Sequence, residues 1–339
     1  MRSGSRFLKT AVWTVVSGAM MTLGAGTAER TTLGGPLKLL DQGSFYVNGA
    51  VTTNVPNSEI IVNQMYVQYW IPEGRNRLPP VVMVHGSGHT GKTYETTPDG
   101  REGWATYFVR QNIPVYVVDQ PGRARSGFDP SRISQARADS NPALLPAFGG
   151  FDNQRAWTVF RIGPTPYVPY PTTQFPIEAK EQYFAQLVPN TDALLAGPGD
   201  TQRVNALAAL LDKIGPAVVM VHSMSGSQGI GVAVARPKLV KALVTVEPVS
   251  CAASDSDVAA AFNHVPVLAV WGDFDDAFIQ RGLAQCGDLV ARANAAGGNA
   301  KLLHLPDEKF VGNSHMLMMD KNNLKIADRI IGWLRDKVR

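Results

Sequence analysis

VVMVHSMSGSQG, residues 218–229, is the stretch whose reading decides the fold. A run of apolar β-formers stops abruptly at Ser223-Met224-Ser225-Gly226-Ser227, where a central serine has a small residue two places to either side. A strand-to-helix turn sharp enough to lift a serine hydroxyl above a sheet needs such neighbours, because backbone must approach backbone there. Glycine is usual at the outer positions, and both are serine here. Small-x-Ser-x-small is a weak pattern alone. Behind VVMV, and ahead of a helix predicted over 228–235, it is a strong one, with Ser225 as the expected nucleophile.

Working outward, 80–84, 114–118, 217–221 and 242–246 are continuous apolar runs, and 266–270 and 301–305 are two more. Val- and Leu-rich runs of this kind, separated by helical patterns, predict parallel strands buried on both faces. The helical patterns fall at 103–111, 201–214, 228–235, 279–296 and 321–337, and 44–51 with 60–71 reads as an opening antiparallel pair. Together they predict an α/β fold, a doubly wound and mostly parallel eight-stranded sheet. The connection from the strand ending at Val118 to the one starting at Ala217 is far longer than a helical crossover needs. Within it, 130–199 is rich in proline, aromatics and small residues, and is expected to form a cap over the carboxyl ends of the strands.

The first 28 residues read as a secretory signal: Arg2, Arg6 and Lys9 precede an apolar stretch over 11–23, and small residues follow to Ala28. Residues 29–339 are then a single domain. The formal charge of +4 is largely that leader, since its removal leaves 29 basic residues against 28 acidic ones. No dense Lys/Arg run argues for nucleic acid or an anionic membrane. In an exported chain the two cysteines, Cys251 and Cys286, are expected to pair. A periplasmic or secreted location follows, with no stable membrane insertion after cleavage.

A serine hydroxyl needs a base, and the base needs an orienting acid. Of the six histidines, His315 lies in the loop between the last strand and the final helix, where chain order puts the base in this fold. His222, beside the turn, reads as a structural neighbour. Two strand ends offer carboxylates, Glu247 after LVTV and Asp275 in the loop after VLAVW; the more usual arrangement favours Asp275. The oxyanion is expected to bind the Gly226 amide and the His85-Gly86-Ser87-Gly88 loop, with Ser87 and Gly88 as donors.

The stretch VVMVHGSGHTGKTYETTPDGREGWATYFVRQNIPVYVVDQPGRARSG, the HSMSG turn and GNSHMLMMDKNNLKIAD resemble the α/β-hydrolase superfamily, and within it the bacterial esterase 713 group of serine carboxylesterases. The resemblance covers the chain from about residue 81 to its end. It implies a triad acid that is a glutamate one strand earlier than usual, which moves the expected acid from Asp275 to Glu247. Relatives can carry cysteines where this chain has Ser87 and Gly88. The function so implied is hydrolysis of small-molecule carboxylic esters through an acyl-enzyme on Ser225, without metal or organic cofactor. An amidase, peptidase or lipase-like hydrolase with the same triad is the alternative, and a non-enzymatic binding protein on the same scaffold a remoter one. A homodimer is compatible with the sequence.

Overall fold

The computed structural model describes residues 35–74, 77–190, 198–274 and 276–338. The expected leader and Asp275 lie outside the described residues. Eight strands form one sheet: β1 (Leu39–Val55), β2 (Ser58–Pro72), β3 (Val81–Val84), β4 (Val115–Asp119), β5 (Ala217–His222), β6 (Val240–Val246), β7 (Val267–Trp271) and β8 (Ala300–His304). Their spatial order is β1-β2-β4-β3-β5-β6-β7-β8. β2 pairs antiparallel with both β1 and β4, and the pairings from β4 to β8 are all parallel. The opening hairpin extends well past the apolar pattern that predicted it, because ladder hydrogen bonds continue where both side-chain faces meet solvent.

Every side chain of β3, β5 and β7 is buried, which is what a parallel strand covered by helices on both faces requires. Alternate residues feed two cores. Val81 and Met83 pack with Val218, Met220, Trp104 and Phe108 on one face, whereas Val82 and Val84 pack with Val219, Val221, Leu207 and Leu211 on the other. The first face is covered by α1 (Trp104–Arg110) and the C-terminal helix, residues 323–337. The long connection contributes α2 (Ser131–Ala138), α3 (Asn153–Val159) and α4 (Lys180–Ala185), separated by irregular turns. It is not a surface decoration: Trp157, Phe160, Phe175 and Tyr183 are buried in the first core.

The second face is covered by α5 (Pro198–Ile214), α6 (Gly226–Ala235) and α8 (Ala277–Ala295), with the single turn α7 (Asp255–Asp257) leading into a π-helical turn, Val258–Phe262. The C-terminal helix, Asn323–Lys337, is α9. Cys251, after β6, and Cys286, on α8, form a disulfide with Cα atoms 5.0 Å apart. No helix among the described residues is long and apolar enough to cross a membrane. Because β5 lies between β3 and β6, the loops leaving all three open side by side at the carboxyl edge of the sheet, the usual place for a ligand site in such folds.

Candidate active site

The turn after β5 is centred two residues earlier than the sequence pattern suggested. His222 is still extended, Ser223 has φ +56°, and the chain then enters a tight turn, Ser223–Ser225, that runs into α6. Left-handed backbone costs a non-glycine residue about 1–2 kcal/mol and collects at functional sites. Ser225, by contrast, has φ −76° and ordinary geometry. Its hydroxyl is fully buried, accepts the His222 amide at 2.9 Å and donates to the His222 carbonyl at 2.8 Å. The Gly226 amide is also occupied, donating back to the Ser223 carbonyl. Ser225 and Gly226 therefore lock the turn, and the residue lifted by it is Ser223.

The room that the small-residue pattern normally supplies comes from two glycines elsewhere. Counting from Ser223, the position two before is Val221, a bulky residue, but a β-carbon on Gly229 would come within 2.9 Å of its side chain. A β-carbon on Gly86 would stand 2.7 Å from Ser223 Cβ. This places the loop after β3 directly against the lifted serine.

His315 and Glu247 are in direct contact. His315 Nδ1 donates to Glu247 Oε2 at 3.1 Å, and both side chains are buried. Glu247 sits immediately past β6 with φ +48°, another left-handed residue, and its Oε1 accepts the Gly272 amide at 2.5 Å. The loop carrying His315 is tied down by buried Asp320, which accepts from the Ser314 amide at 2.9 Å, the Ser314 hydroxyl at 2.7 Å and Asn313 Nδ2 at 2.9 Å. His222 is more than a local neighbour. Its Nε2–H donates to the His315 carbonyl at 3.0 Å, across 93 residues of sequence.

Two residues of the long connection complete the arrangement, and no periodicity in that segment pointed to them. Phe160 accepts the His315 amide at its carbonyl, 3.0 Å away, and stacks its ring on the imidazole at 5.6 Å with planes 12° apart. Arg161, at φ +52°, donates Nη2 to Glu247 Oε2 at 2.6 Å and Nε to the Asp273 carbonyl at 3.2 Å.

Around the loop after β3, His85 Nδ1 donates to the Gly86 carbonyl at 2.9 Å, while its Nε2 accepts the Gln120 amide at 3.1 Å. In a planar trans peptide that hold on the Gly86 carbonyl turns the Ser87 N–H the opposite way. His89 Nδ1 holds the Ser87 carbonyl at 2.7 Å, and Tyr183 donates to its Nε2 at 3.2 Å. Gly88 has φ +69° and leaves no room for a β-carbon against Phe151, so its absent side chain serves packing with the connection.

Burial sets the protonation states. It holds the His222 imidazole well below its ordinary pKa, and pushes His85 to about 4 and His89 to about 3, so all three are neutral supports. Burial also pulls His315 down; the Glu247 bond opposes this, and the Arg161 charge adds to it. For Glu247 burial resists ionisation, but Arg161 and His315 outweigh it and keep the carboxyl below its usual range.

A buried imidazole paired with a carboxylate, and bonded through its backbone to the residue that precedes a serine on a strained turn, is the site type of an α/β-hydrolase. Comparison with known proteins agrees. The fold matches the solved structure of a novel bacterial esterase at a TM-score of 0.84 and 37% identity, over 90% of this chain and 98% of that one. In sequence it is 28% identical over 325 residues to a probable secreted lipase, phiG, of a fungal species (strain ATCC 74256), spanning 80% of this chain and 85% of that protein. No family model matches. The chain belongs to the α/β-hydrolase superfamily, among its esterases, and is a carboxylic ester hydrolase.

Proposed function

We propose that this chain is an exported serine carboxylesterase with Ser223 as nucleophile, His315 as general base and Glu247 as the acid that orients it. The observation that carries the reading is the left-handed backbone of Ser223 at the tip of β5, set against Gly86 and one residue after His222. His315 takes the Ser223 proton as the hydroxyl attacks the ester carbonyl. Glu247 fixes the tautomer through Nδ1 and stabilises the imidazolium. The oxyanion meets the Met224 amide, which follows the nucleophile, and the Ser87 amide, which His85 turns inward by holding the Gly86 carbonyl. His315 then protonates the leaving alcohol, and water, activated by the same base, releases the acid.

The connection, described over 130–190, acts as the cap, since its Phe160 and Tyr183 flank His315 and His89. Export is supported by the signal-like first 28 residues and the Cys251–Cys286 disulfide, and by the word "secreted" in the fungal relative's name. The test is to label the protein with a fluorophosphonate, digest it and map the adduct by mass spectrometry. The adduct is expected on Ser223. An adduct on Ser225 overturns the assignment, as does full ester hydrolysis after exhaustive treatment with the probe.

A further inference from the structure

The Glu247 carboxylate has two partners of different origin on one oxygen. His315 Nδ1 reaches Oε2 from the final loop, and Arg161 Nη2 reaches it from the long connection. Arg161 and Glu247 are both essentially inaccessible to solvent, at 1% and 0% exposure of their side chains, so water does not screen the pair. The guanidinium is held by a second bond to the Asp273 carbonyl and lies 5.9 Å from the Phe278 ring centre. Its neighbour Phe160 grips His315 by ring and carbonyl. Consecutive residues thus hold the base and the acid, and Arg161 does so from a strained left-handed backbone.

We infer that Arg161 is a positioning residue of the hydrolytic site, one that clamps Glu247 in the orientation His315 needs and so makes the cap a structural part of the triad. The inference rests on the proposed roles of Glu247 and His315. A planar fork suits this task better than a point charge, because it engages the carboxylate and the Asp273 carbonyl at once. The fixed positive charge also acts on the base: it disfavours a second cation beside it, so His315 stays neutral to lower pH than it would with Glu247 alone. The other groups bearing on the pair are Asp276 at the start of α8, Asp320 behind the final loop, the neutral His222 and His89, and Asp273. The Asp273 carboxylate is engaged with the Gly312 and Phe274 amides.

The test compares Arg161→Gln and Arg161→Lys in the full chain, on a short p-nitrophenyl ester across pH. Arg161→Gln is expected to lower kcat about ten- to hundredfold with KM within about twofold, as for a misplaced reacting group. Its acid limb should move up by about one pH unit, because a positive charge has left the base. Arg161→Lys should restore the limb to within half a unit but not the full kcat. An unmoved limb together with an unchanged kcat in Arg161→Gln overturns the inference. Should that variant not fold, wild-type kcat in Arg161→Lys does the same. Glu247→Gln separates the two levels: if it keeps wild-type activity the triad reading fails, whereas an inactive Glu247→Gln beside a normal Arg161→Gln sinks the clamp alone.

Discussion

The Ser225 hydroxyl is closed in a ring with the backbone of His222, accepting from its amide at 2.9 Å and donating to its carbonyl at 2.8 Å. That ring shapes the turn in which Ser223 stands, and it separates two serines that the sequence pattern alone does not. Ser223→Ala is expected to lower turnover by roughly 10⁴- to 10⁶-fold in a folded protein. Ser225→Ala should retain fluorophosphonate labelling but lose about 1–3 kcal/mol of stability, because the buried His222 amide is left without its acceptor. Parallel melting curves and labelling of the two variants check both halves.

Glu247→Gln is expected to reduce kcat by about 10⁴-fold, since a carboxamide favours the wrong imidazole tautomer. Asp275→Asn should stay within a few-fold of wild type. Steady-state kinetics of the pair decides between the two strand-end carboxylates.

The pH dependence of kcat/KM follows from burial of the base. His315 must be neutral to accept the Ser223 proton, and its pKa is lowered. The acid limb should therefore have its midpoint below roughly 6.5, the value of an ordinary imidazole. A midpoint above that value would contradict the burial and charge pattern around His315.

Asp320 titrates in the opposite sense. Burial outweighs its three donors and pushes its carboxyl up to about 7. The unfolded chain releases this proton at about 3.9. Between those values the folded form binds more protons, so this group makes stability fall as pH rises. Asp320→Asn should flatten the stability–pH curve across that window, as read by urea unfolding at several pH values.

Reduction of the Cys251–Cys286 bridge, which spans 35 residues, should cost about 3–4 kcal/mol in the chain-entropy model. Both cysteines are buried in the second core, and the Cys251 amide donates to Gln285 Oε1 on α8 at 2.8 Å. A reducing agent should then lower Tm while specific activity at ambient temperature stays near its starting value.

The sheet was legible because a strand buried on both faces must be almost wholly apolar: β3 and β7 are so throughout, β5 up to His222, and β6 apart from Lys241 and Thr245. Glu247 and His315 were reached by resemblance and chain order, and their contact is a direct hydrogen bond. The pattern points to Ser225 and the proposal to Ser223, because bulky Val221 stands two residues before Ser223 where the pattern asks for a small residue. What distinguishes them is the end of β5 at His222 and the space that Gly229 leaves for Val221, both properties of the packed fold. Phe160 and Arg161 sit in a segment without periodicity, and only the folded chain brings them 155 and 86 residues across the sequence to His315 and Glu247.

His222 is the last residue of β5, the immediate neighbour of Ser223, and the donor to the His315 carbonyl. Ser223 and His315 are therefore registered through one imidazole at the end of β5. The other end of that bond is the final loop, so loosening of this loop would change the spacing even while β5 holds. Heat inactivation of this enzyme should accordingly begin at or below the temperature at which its global fold is lost.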